Sequence, residues 1–196
     1  MPIPLPFQPP GFKSGFTNST PGVGMAKTIR AFIAIEINEE ARLELLKLQD
    51  KLKQLGADVK WVKPQNLHLT LKFQGDTPGN KIQNIKDILK EIAGKTSVFS
   101  ISLSKLGAFP NLNSPRIAWV GVKKNSEELK KIANMLGNQT FSSHVTLGRF
   151  RYCKKIAMPA FTGLDMTVSK ITLFQSTLTP KGPVYKSLYE AMLKPI

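Results

Sequence analysis

Chemistry-bearing side chains are scarce in this 196-residue chain: there are two histidines, His68 and His144, and a single cysteine, Cys153. One thiol cannot build an internal disulfide framework and accords with a reducing compartment, so a cytoplasmic protein is expected. Two imidazoles and one thiol without clustered carboxylates are a poor ligand set, and Asp76 is the nearest acid along the chain to either histidine, so neither a metal nor a cofactor is expected. A Walker-type glycine loop is missing, which argues against ATP or GTP hydrolysis. No apolar run approaches the roughly 18 residues of a membrane span. Acids are scarce too: 13 Asp and Glu stand against 28 Lys and Arg, for a net charge of +15. That excess is spread along the chain and points to a polyanionic partner, with RNA, DNA or nucleotides first.

The length and the 41% hydrophobic content fit one sizeable domain or two small lobes sharing a core. Residues 1–24 are rich in Pro, Gly, Ser and Thr and carry one charge, Lys13. They lack the basic start and continuous apolar core of a secretory signal, and read as an added leader or a disordered extension. Met25 resembles a natural start, so residues 25–196 are expected to form a single bilobal domain.

Ile29 to Ile37 alternates as a strand with one strongly apolar face. Asn38 is a plausible N-cap for a helix over Glu39 to Leu55, which Gly56 stops. Short strands follow at Val59 to Val62 and Asn66 to Phe73, then a second helix from Pro78 to Ala93 ended by Gly94. Val98 to Leu106 and Arg116 to Val122 read as strands. Ser126 to Leu136 is a third helix, capped by Ser126 and followed by Gly137. Strands at Ser143 to Tyr152, Lys170 to Leu178 and Val184 to Leu193 complete the chain. The mixture predicts an α+β fold of two pseudo-symmetric lobes, each an antiparallel-rich sheet covered by helices on its outer side, with a central cleft between them.

Both histidines open the same pattern, His68-Leu69-Thr70-Leu71 and His144-Val145-Thr146-Leu147. Alternation along a strand places Asn66, His68, Thr70 and Lys72 on one face and Leu67, Leu69, Leu71 and Phe73 on the other. Ser142, His144, Thr146 and Gly148 repeat this opposite Val145 and Leu147. Two such strands, one per lobe, would line a cleft with two imidazoles and two hydroxyls. Histidine suits acid and base roles because its ordinary pKa of about 6.5 lies near neutrality. Trp61 and Trp119 read as packing residues. Lys72, Lys123, Lys124, Lys154 and Lys155 would attract an RNA backbone in a salt-dependent way.

The two motifs resemble the His-x-Thr-x pair of the 2H phosphoesterase superfamily. The stretches Arg30-Ala31-Phe32-Ile33-Ala34-Ile35, Trp61 to Gly75, Ser143 to Arg149 and Leu173 to Leu178 before Gly182-Pro183-Val184-Tyr185 are similar to its RNA 2′,3′-cyclic phosphodiesterase branch, also called 2′-5′ RNA ligases. The resemblance runs from about Arg30 to Leu193. The segment Gly137 to Ser143 is shorter than the family usually has, which bears on substrate breadth. The resemblance implies metal-independent hydrolysis of RNA 2′,3′-cyclic phosphate ends to 2′-phosphate, with reversible 2′-5′ ligation as a companion activity. His68 would donate a proton to the leaving 3′ oxygen, His144 would activate water, and Thr70 and Thr146 would hold the non-bridging oxygens.

Arg149 stands where the family carries a phosphate-facing arginine. Simple alternation puts it on the Val145 face, so a bulge or the strand end would have to turn it inward. Arg151 adds charge nearby. Phe32 reads either as a cleft residue stacking on a base or as ordinary core. The implied partner is RNA with 2′,3′-cyclic phosphate ends, tRNA fragments among the candidates, bound by a monomer. Two alternatives stay open: the same chemistry on a small cyclic nucleotide or 2′-5′ oligoadenylate, and a non-catalytic RNA-binding module.

Overall fold

The computed structural model describes residues 27–56, 58–152 and 155–195. The expectations placed on residues 1–24, Cys153 and Lys154 lie outside the described residues. Nine strands form one strongly curled sheet. The first half holds β1 (Thr28–Glu36), β3 (His68–Pro78), β8 (Lys170–Thr179) and β9 (Gly182–Met192), in the order β9-β8-β1-β3. The second half runs β7-β4-β5-β6, from β7 (Leu164–Val168), β4 (Phe99–Phe109), β5 (Ile117–Lys124) and β6 (His144–Tyr152). The short β2 (Asp58–Trp61) pairs with the far part of β6. Every pairing between these strands is antiparallel. Each half therefore ends, at its inner edge, on the strand that opens with a histidine, and the halves meet through the single pair Leu69 and Val145.

Three helices cover the apolar side: α1 (Glu39–Lys53), α2 (Ile82–Lys95) and α3 (Ser126–Met135). Leu45, Leu52, Leu89, Leu129 and Ile132 from the helices join Ile33, Ile35, Leu69, Leu71, Val145 and Leu147 in one buried cluster. Each such side chain contributes about 1.5–3 kcal/mol by leaving water. The helices interlock the two halves. From α1 the buried Gln49 side-chain amide donates to Val62 O at 3.0 Å and Leu147 O at 2.8 Å, tying a helix that follows β1 to β2 and β6. In the opposite sense, Asn138, just past α3, donates to Leu71 O of β3 at 2.7 Å.

Local chemistry explains most boundaries. Asn38 Oδ1 accepts from Ala41 N–H at 2.9 Å, and Gly56 and Gly137 take positive φ beyond α1 and α3. Gly94 does not end α2: the helix runs through it to Lys95, and Thr96 closes it with a hydroxyl bond to Ile92 O at 2.8 Å. The α2 start also moves inward, because Pro78 belongs to the end of β3 and a short turn over Gly79–Lys81 intervenes. Asn125, at φ 56°, occupies the position before α3, with Ser126 already inside the helix. The sequence pattern did not show β7, an outer strand with only two buried residues, Met166 and Val168.

Two irregularities in β3 overturn the simple alternation expected there. Ile33 pairs with Lys72 but Ala34 with Thr70, so Leu71 is an extra residue, and Gln74 is a second one. A bulge reverses which side the following residues face. Lys72 consequently lies on the helix side, where its ammonium donates to Leu136 O at the end of α3. Phe73 turns to the histidine side and is 74% exposed.

Candidate active site

The site is built at the seam of the two half-sheets. With Leu69 opposite Val145 in antiparallel sense, the register sets His68 alongside Thr146 and Thr70 alongside His144, on the face away from the helices. All four are half-buried. Each histidine thus approaches the threonine of the other motif, and a group held between them meets two imidazoles and two hydroxyls.

The two imidazoles are held alike. His68 Nδ1 lies 2.7 Å from Asn66 O and His144 Nδ1 lies 2.8 Å from Ser142 O, in each case the carbonyl two residues earlier. A carbonyl only accepts, so Nδ1 carries the proton in both rings and Nε2 is the atom left for chemistry. Asn66 is itself buried, and its side-chain amide donates to Pro183 O at 2.9 Å, which anchors the start of β3 to the β8–β9 hairpin. Burial lowers the pKa of His68, its carbonyl bond opposes this, and the charge of His144 lowers it further. Burial likewise lowers His144, against the bond to Ser142.

Aromatic walls flank both rings. In the first half His68 sits 4.9 Å from the Phe32 ring and edge-on to Tyr185 at 5.4 Å. Phe32 stacks on Phe174 at 5.2 Å and is only 3% exposed, so it supports His68 from beneath. The exposed aromatic in this half is Phe73, 6.2 Å from Phe32, which strand parity had assigned to the core. In the second half, Phe109 meets His144 edge-on at 5.1 Å and Trp119 stands 6.4 Å away. Trp119 is therefore part of the site wall rather than simple packing, and Gly107 leaves room for its ring. Trp61, by contrast, packs against the core.

Arg149 reaches the histidine face through a bulge. Trp119 pairs with Thr146 and Ala118 with Gly148, leaving Leu147 as the extra residue on β6, and Ile117 then pairs with Arg149. Cross-strand partners share a face, so Arg149 returns to the side of His144 and Thr146. Its charge, with that of Arg30 from the other half, acts on the Tyr185 hydroxyl, whose pKa burial raises and the two arginines draw down. Arg151 lies farther along β6, exposed, with a guanidinium nitrogen 3.3 Å from Asp58 Oδ1. Sequence reasoning missed Phe73, Phe109, Tyr185 and the wall role of Trp119, because each depends on a register or a strand neighbour that periodicity does not reveal.

Comparison with known proteins agrees with this architecture. Residues 35–119 match the LigT-like phosphoesterase family. An RNA 2′,3′-cyclic phosphodiesterase of Thermotoga maritima is 35% identical over 182 residues, covering 85% of this chain and 96% of that protein. A crystal structure from Thermus thermophilus is similar with a TM-score of 0.77 at 28% identity, covering 85% of this chain and 99% of the other. Escherichia coli LigT, crystallised with phosphate, has a TM-score of 0.73 at 28% identity and covers 86% and 99%. Identity above the level of fold resemblance, across nearly the whole of both chains, shows that this chain belongs to the LigT-like phosphoesterases, the family of the RNA 2′,3′-cyclic phosphodiesterases.

Proposed function

We propose that the protein hydrolyses 2′,3′-cyclic phosphate at RNA ends to a 2′-phosphate, using His68 as general acid and His144 as general base. The observation that carries this is the matched pair of imidazoles, each with Nδ1 fixed on a carbonyl and Nε2 left for proton transfer, crossed over two threonine hydroxyls. His144 Nε2 takes a proton from water as the water oxygen bonds to phosphorus. The bond from phosphorus to the 3′ oxygen breaks, and that oxygen takes the proton of His68 Nε2. Water is consumed, and a 3′-hydroxyl and a 2′-phosphate remain. Burial makes protonated His68 a stronger acid, and keeping His144 neutral removes the repulsion that would strip His68 early.

Thr70 and Thr146 donate to the non-bridging oxygens, where bonds strengthen as charge develops in the transition state. Arg149 supplies positive charge beside them. Phe73 offers the exposed ring on which the terminal base stacks. A 5′-hydroxyl in place of water would give a 2′-5′ linkage by the same two proton transfers, which is the proposed ligation. The Thermotoga maritima relative bears the cyclic phosphodiesterase name, and the E. coli neighbour was crystallised with phosphate. The catalytic unit is taken as residues 25–196, with one motif per half.

Steady-state hydrolysis of a 2′,3′-cyclic mononucleotide in EDTA, with the product assigned by phosphorus NMR, tests the assignment. His68→Ala and His144→Ala are each expected to lose about 10²- to 10⁴-fold. A substrate whose 3′ leaving atom is sulfur needs no proton on departure, so it should restore His68→Ala and leave His144→Ala impaired. Equal rescue of both, or a 3′-phosphate product, would refute the roles.

A further inference from the structure

Beyond the reacting centre, the histidine face of β6 continues as a cationic track on one side only. Where β3 parts from β6 after the single pair Leu69 and Val145, β2 takes over the edge. It sets Lys60 directly opposite Arg149, on the same face, while on the other flank β5 sets the apolar Ile117 there. Val59 and Trp61, the neighbours of Lys60, turn toward the core. Lys60 is exposed and, among the described residues, has no ion-pair partner. The next cation along, Arg151, is already engaged by Asp58. Two further cations on this face are differently placed. Arg30 stands across from Asp76 in the β1–β3 register, and Lys105 lies beyond Gly121, two strands from His144.

We infer that Lys60 and the β2 edge hold the RNA chain preceding the terminal nucleotide, so that the enzyme distinguishes polynucleotide ends from free cyclic nucleotides. Two side-by-side cations with no carboxylate between them are best satisfied by an anion, and a lysine ammonium acts as a point charge suited to a singly charged phosphodiester. Arg149 serves the reacting phosphate, and Lys60 takes a diester upstream of it. The inference rests on the RNA-end activity proposed above.

The test compares kcat/KM on a cyclic mononucleotide with that on a short RNA ending in the same cyclic phosphate, for wild type, Lys60→Ala and Lys105→Ala. Lys60→Ala is expected to lose about fivefold on the RNA, through KM, with the mononucleotide unchanged. The slope of log kcat/KM against log salt on the RNA should fall by about 0.7, one single-strand phosphate contact. Lys105→Ala should match wild type on both. Equal loss on both substrates, no loss on either, or a loss confined to Lys105→Ala would overturn the β2 path. Turnover of the mononucleotide by wild type separates these outcomes from failure of the activity itself; absence of turnover on both substrates would sink both proposals together.

Discussion

Phe73 and Phe32 lie 6.2 Å apart in one aromatic cluster, yet their removal should produce opposite kinds of defect. Phe73 is 74% exposed, so Phe73→Ala removes little buried surface and should change stability by no more than about 0.5 kcal/mol. If a base stacks on its outer face, the loss appears in substrate binding instead. Stacking of one base on an aromatic side chain is worth about 1–3 kcal/mol. At about 1–2 kcal/mol, the lower part of that range, kcat/KM on a cyclic nucleotide should fall about 5- to 30-fold. Phe73→Tyr should retain most of the activity, because the π face survives. Phe32→Ala, at 3% exposure and wedged between His68 and Phe174, should cost about 3–5 kcal/mol of stability. The assay is kcat/KM on cyclic adenosine and cyclic uridine phosphates beside thermal melts of each variant. Unchanged kinetics in Phe73→Ala, or a melt as depressed as that of Phe32→Ala, would refute the stacking role.

Both histidine pKa values lie below the ordinary 6.5, so kcat/KM should peak on the acid side of that value and already decline towards neutral pH, as His68 loses its proton through its lowered pKa. For stability, the unfolded chain then binds more protons near 6.5 than the folded one. The histidine contribution is complete above that pH and is lost as pH falls through the folded values; the drop in Tm between neutral and mildly acid pH should be smaller in the His68→Ala, His144→Ala double variant. An equal drop would remove the burial effect. At Gly107 an added Cβ would fall inside the Trp119 ring, so Gly107→Ala should destabilise by about 1–3 kcal/mol and displace the wall beside His144. Gly94→Ala, in helix α2 with nothing within 4 Å, should instead stabilise by about 0.5–1 kcal/mol. Denaturant midpoints of the two variants moving in the same direction would contradict this.

The sequence by itself determined the α+β class, most strand and helix locations, and the two His-Thr pairs, because side-chain periodicity and helix-stopping glycines are local properties of the chain. Asn38 and Gly56 were readable for the same reason: a side-chain cap and a positive φ need only near neighbours. What the tertiary structure decided was which residues share a face once the strands pair. Bulges at Leu71, Gln74 and Leu147 reverse the alternation, sending Lys72 to the helices, Phe73 to the surface and Arg149 back beside the histidines. Those extra residues arise from the register each strand adopts against its partner. The crossing of His68 toward Thr146, the burial of Phe32 and the pairing of Lys60 with Arg149 likewise depend on segments distant in sequence, and a two-residue period read along one strand carries no information about its neighbour.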